Sequence, residues 1–202
     1  MNIKTSIYDF FGYTVPGGLL LLLVLHGLKT FAVVDYFSGL GSAGFTAILI
    51  FTLAAYLIGF VFDPVNRYVT NLYKSKDEPK VKALEIIRQR IPELDISDIH
   101  PGHWAIWFAS IRQENLEIAF EIDRYLAYSK MMRGVCLAAL LAFFMLIFYL
   151  MFGKVSIQYL LLVPVIVLIG TLSLLQAYKF RLGFYILIYE AVVARKPPFS
   201  MK

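Results

Sequence analysis

Six basic residues stand in two stretches of this chain with aromatic rings between them. Arg112, Arg124, Lys130 and Arg133 form one group, and Lys179 and Arg181 the other. Trp107, Tyr125, Tyr128, Tyr178 and Tyr185 lie among them. Guanidinium and ammonium groups meet phosphate oxygens, and flat rings stack on bases. The set therefore suits an anionic ligand, a nucleotide or a short single-stranded nucleic acid. Arg112, Arg124, Lys130, Arg133, Lys179, Arg181, Trp107 and Tyr128 are the candidate ligand-binding residues. The plainer use of the same charges is contact with anionic lipid headgroups.

A second set runs at alternating intervals of three and four: Ser42, Phe45, Leu49, Thr52, Tyr56, Gly59 and Asp63. This spacing places them on one stripe of a helix. Two uses are open. Small and hydroxyl residues let helices approach closely in lipid. The same stripe could instead line a pore, with Leu49, Thr52, Tyr56, Gly59 and Asp63 as its lining and gate.

No catalytic constellation accompanies either set. The sequence has no Gly-rich phosphate loop, no HExxH, no GxSxG and no CxxC. His100 and His103 have no carboxylate or Cys at ligand spacing, so no metal is assigned. Cys136 is the one cysteine, which excludes an internal disulfide framework. The expectation is a protein that is not an enzyme and needs no cofactor.

Composition says what must carry these residues. Of 202 residues, 59% are hydrophobic and only 16% charged, and the mean hydropathy is +0.70. An average soluble domain is about 45–50% apolar and about 25% charged. Four windows lack Asp, Glu, Lys and Arg: 10–28, 36–62, 134–152 and 155–178. A bilayer-crossing helix needs about 20 apolar residues, so each window is read as one span. Thr30-Phe31-Ala32 offers a cleavage-like triplet after the first window; Asp9 and Pro16-Gly17-Gly18 argue against a signal peptide.

Lys and Arg fix the expected orientation. Seventeen of the 19 lie at the N-terminus, in 63–133 or in the C-terminal tail; only Lys29 and Lys154 lie in the other two connections. Both termini and the central segment are expected in the cytoplasm. The chain then divides into 1–62 (the first two spans), 63–133 (a cytoplasmic helical region), 134–177 (the hairpin of spans three and four) and 178–202 (a helical extension and basic tail).

Within 63–133, Asp63-Pro64 reads as a helix start at the membrane face, with that helix ending near Tyr73. A short helix follows from Pro79 to Ile91. From Trp104 a heptad seam runs through Phe108, Ile111, Asn115, Ile118, Ile122, Tyr125, Ser129 and Met132. No Pro or Gly interrupts before Gly134, so the seam predicts one rod from Trp104 to Phe152, about 70 Å long at 1.5 Å per residue. Past Gln176 the helical pattern continues to Val192, before Pro197-Pro198. Paired extensions of spans three and four thus predict a cytoplasmic stalk, and its exposed seam points to a homo-oligomer.

Two stretches carry a resemblance. Tyr8-Asp9-Phe10-Phe11-Gly12-Tyr13 with Val15-Pro16-Gly17-Gly18-Leu19 resembles the opening of small bacterial four-span membrane proteins of antiphage-defence loci. Glu121-Ile122-Asp123-Arg124-Tyr125 with Ser129-Lys130-Met131-Met132-Arg133 resembles their second hallmark. Among these the chain is similar to the Hailong-type ion-channel effectors. The resemblance implies a homotetrameric channel held closed by short single-stranded DNA, which a partner nucleotidyltransferase makes. Opening would depolarise the infected cell. The competing expectation is a non-conducting adaptor that presents its helical stalk to a cytoplasmic partner.

Overall fold

The computed structural model describes residues 3–30, 44–73, 78–91, 100–152 and 160–195. They form α1 (Ile3–Thr30), α2 (Phe45–Tyr73), α3 (Glu78–Arg90), a 3-10 turn (Pro101–His103), α4 (Trp104–Glu114), α5 (Leu116–Phe152) and α6 (Leu162–Arg195). No strand occurs among the described residues. Four helices, α1, α2, α5 and α6, are long and apolar enough to cross a membrane. In hydrocarbon a helix satisfies its own backbone hydrogen bonds, which explains why these runs take that form. Parts of the second and fourth windows, 36–43 and 155–159, lie outside the described residues, as do the Pro197-Pro198 stop and the tail beyond it.

Two sequence expectations are corrected. Asp63-Pro64 does not start a helix: α2 runs through both residues, and Pro64 is internal to it. Asp63 is instead buried and ion-paired. The 70 Å rod is also broken. Asn115 has extended backbone (φ −138, ψ 99), and its Oδ1 accepts from the N–H groups of Glu117 and Ile118, both at 3.1 Å. That is an N-cap: an Asn side chain supplies the acceptor that the first helical N–H groups lack. α4 turns back beside α5, and an Arg112 NH2–Asp123 Oδ2 ion pair of 2.8 Å joins them across eleven positions. The uninterrupted helix α5 has 37 residues, about 55 Å at 1.5 Å per residue.

At Gly17 and Gly59, α1 and α2 approach so closely that no side chain fits at those positions. A Cβ on Gly17 would overlap the carbonyl oxygen of Ala55, and one on Gly59 would overlap that of Tyr13. Small residues permit such approaches where lipid tails give helices no hydrophobic reason to associate. α5 and α6 run antiparallel: Ala139 lies by Gly170, Ser129 by Ala177 and Tyr125 by Gly183. Ser129 Oγ donates to the Ala177 carbonyl at 3.0 Å in a buried position.

The charged ends of α5 and α6 share a core with α3 and α4. Ala83, Ile87, Ile111, Ala119, Ile122, Phe184, Tyr185, Ile188 and Tyr189 are buried together there. Ile111 and Ile122 belong to the seam expected to cover α6, so that covering face formed even though the rod did not. By contrast, Phe45, Ile48, Leu53, Leu57 and Val61 leave the outer face of α2 apolar and exposed, as lipid contact requires.

Candidate anion site at the inner end of the spans

α2, α5 and α6 each become charged just past their apolar runs, and they do so at one level. There the chain lines a half-open cavity of about 490 Å³. Arg67 and Asn71 come from α2; Leu126, Ser129, Lys130 and Arg133 from α5; Arg181, Phe184 and Tyr185 from α6. Lys80 of α3 and Trp104 of α4 complete it. Five lining residues are basic and none is acidic. Three are aromatic, and Trp104 meets Phe184 and Tyr185 edge-on at 5.7 and 5.8 Å.

The basic side chains are held from behind. Asp63 Oδ2 accepts from Arg67 Nε at 2.8 Å and from its NH2 at 2.5 Å. Asp63 Oδ1 faces Arg133 NH2 at 3.6 Å, with both side chains more than nine-tenths buried. That separation is an ion contact without a good hydrogen bond. Arg133 Nε is buried with no hydrogen-bond partner, as is Asn66 Oδ1 nearby on α2. Burial lowers the pKa of Arg133; the Asp63 charge opposes this, and the neighbouring Arg181 and Arg67 charges add to it. Arg133 nonetheless stays a cation near neutral pH. Arg67 and Arg133 therefore share one carboxylate, and Arg181 adds a further positive charge beside Arg133.

Lys130 is anchored to α1. Its Nζ donates to Asp9 Oδ1 at 2.6 Å and sits 5.0 Å from the centre of the Tyr13 ring. Burial alone would lower its pKa, but the Asp9 hydrogen bond and charge, with Tyr13, outweigh this and raise it. Asp123, nearby on α5, moves the other way from an ordinary ion-paired carboxylate. Burial raises its pKa, and the Arg112 charge and hydrogen bond only partly offset that.

Of the eight candidate ligand residues, the structure brings Lys130, Arg133 and Arg181 to the cavity. The other five are elsewhere. Arg112 pairs with Asp123 and lies over the Phe108 ring. Arg124 pairs with Glu121 one turn away. Lys179 is exposed on α6. Trp107 packs edge-on against Tyr189, and Tyr128 packs at a tilt against Phe180. Sequence reasoning missed Arg67, Asn71, Lys80 and Trp104. One signal was available: Asp63, Arg67 and Asn71 recur every four residues, which puts a carboxylate, a guanidinium and an amide on one helix face.

The stripe on α2 divides. Tyr56 stacks on Phe10 at 5.6 Å and meets Tyr13 edge-on at 5.9 Å. Gly59 lies against Tyr13, and Asp63 against α5. These three are packing contacts within the chain. Thr52 Oγ1 donates to the Ile48 carbonyl of its own helix at 2.7 Å, and Leu49 is half-exposed. No family model, curated protein or solved structure matches this chain.

Proposed function

We propose that this chain forms a homo-oligomeric ion channel of the bacterial inner membrane, gated by a phosphate-bearing ligand in the basic cavity. The observation that carries the reading is the placement of that cavity. Its walls are the last charged turns of α2, α5 and α6 before those helices become apolar. A ligand there touches three spanning helices at once. Binding one arrangement of the three better than another shifts their equilibrium. Three aromatic walls suit a base beside the phosphate, so a nucleotide or short single-stranded DNA is the ligand class.

The side of the membrane comes from charge: Lys and Arg concentrate on the segments that hold the cavity. Conduction needs more than one copy. Within a single chain, Tyr56, Gly59 and Asp63 are occupied by packing, so the path would form between copies, on faces that include Leu49 and Thr52. The resemblance of the Tyr8–Leu19 opening to defence effectors supports a tetramer that depolarises the cell.

Liposomes reconstituted with the full chain test this directly. Ion flux is expected, and a thymidine tetranucleotide added on the cavity side should change it. Absence of flux in every condition, with and without the oligonucleotide, overturns the channel reading and leaves a membrane anchor for an adaptor.

A further inference from the structure

α1 contains one acidic residue, Asp9, and α2 contains one, Asp63. Each reaches across to a cation on α5: Asp9 to Lys130 at 2.6 Å and Asp63 to Arg133 at 3.6 Å. Both cations line the cavity, and so does Arg67, the second partner of Asp63. The only acidic groups of the first two helices are thus counter-ions to the walls of the candidate ligand site.

We propose that the ligand acts by exchange: its phosphate takes Lys130 from Asp9, and Arg133 and Arg67 from Asp63, which unpins α1 and α2 from α5. The inference rests on reading the cavity as a phosphate site.

The geometry favours a phosphate over the resident carboxylate. Asp63 meets Arg133 at a distance too long for a good hydrogen bond, and Arg133 Nε has no partner at all. A phosphate offers three oxygens to guanidinium groups and can fill both deficits. Once Arg133 and Arg67 turn to the ligand, Asp63 is a buried carboxylate without its cations, and that is costly. The cost falls when α2 shifts enough to let water reach Asp63. Packing such as Gly12 against Ala127 keeps α1 beside α5 meanwhile, so the change is a rearrangement and not a dissociation. Binding energy is thereby converted into motion of the α1–α2 pair against the α5–α6 pair.

The test measures binding of inorganic pyrophosphate to the full chain in nanodiscs of phosphatidylcholine. Asp9→Asn removes a competitor and should tighten binding about tenfold; Lys130→Gln should weaken it by a similar factor. Asp9 is half-exposed, so its variant is the one to rely on if Asp63→Asn folds poorly. Unchanged or weaker binding in Asp9→Asn overturns the exchange. A second set of nanodiscs contains phosphatidylglycerol. If a lipid headgroup is the natural occupant, pyrophosphate binding falls there and native mass spectrometry finds more retained lipid in Asp9→Asn. A parent protein that binds neither pyrophosphate nor lipid overturns the exchange and the phosphate site together. Tighter binding in Asp9→Asn with no ion flux from any liposome keeps the exchange and removes only the channel.

Discussion

Pro16 of α1 sits against Gly134 of α5, so closely that a Cβ on the glycine would overlap the proline ring. Asn66 of α2 lies beside the same point. Three apolar helices therefore meet one residue beyond Arg133, a lining residue of the basic cavity. Pro16 is fully buried there, and its missing N–H is the natural break in α1 for such an approach.

Gly134→Leu should force α1 and α5 apart. Overpacking of this kind costs about 1–3 kcal/mol. Thermal unfolding in detergent, followed by tryptophan fluorescence, is expected to move to lower temperature. Gly44→Leu is the control, because a Cβ there meets nothing and stability should hold.

Arg133→Gln leaves Asp63 buried beside Arg67 alone. Removing one member of a buried pair costs about 3–5 kcal/mol, whereas removing both can be nearly neutral. The double variant Asp63→Asn with Arg133→Gln should thus be more stable than Arg133→Gln by itself. A double-mutant cycle on denaturation midpoints checks it; strict additivity would show that the two side chains do not interact.

Asn115→Ala removes the cap that begins α5. Such caps are worth about 0.5–2 kcal/mol. Without it the heptad pattern is free to run straight, which pulls Trp104 off the cavity. Spin labels at Ile106 and Ile118, both exposed, should move apart in the variant, because α4 no longer folds back.

Asp123 gives a pH prediction. Its folded pKa is raised, chiefly by burial, so the folded protein binds this proton more readily than the unfolded chain. Stability contributed by this group is greatest below the unfolded pKa and is lost as pH rises through the raised folded value. At neutral pH the ionised carboxylate is a net penalty. Asp123→Asn should leave thermal stability equal or higher at pH 7 and lower the variant's advantage toward pH 4. A clear loss at pH 7 would show that the Arg112 pair dominates instead.

For ligand binding, Arg181→Gln should weaken a thymidine tetranucleotide by about tenfold. It should also reduce the dependence of log affinity on log salt by about one. Arg112→Gln, whose side chain is paired with Asp123 and does not line the cavity, should change neither. Equal effects of the two would mean that the oligonucleotide does not occupy the cavity.

The four spans were legible because each lies in an uncharged run, and nothing in the fold opposes that pattern. The pairing of α5 with α6 was legible too, from the short turn joining their windows and the apolar face beyond Gln176. The break at Asn115 was hidden by its own surroundings: apolar residues keep heptad spacing on both sides, and no Pro or Gly marks the place. Only the capping preference of Asn, followed by Glu117, hinted at it. The cavity was half legible. Lys130, Arg133 and Arg181 were chosen for charge and nearness to the membrane, which the fold respects. Arg67 and Lys80 were passed over because they lie far away in sequence, and Trp104 because a continuous rod would have placed it at the distant tip.

The cavity draws its walls from Arg67 through Tyr185, well over half of the 202 residues. No shorter nascent chain contains it. While the ribosome is still adding α6, the first two helices can enter the bilayer, but the pocket has no far wall and the arginines no shared centre. The pocket is therefore complete only after Tyr185 has been added. A copy cut short before α6 reaches the membrane without this pocket.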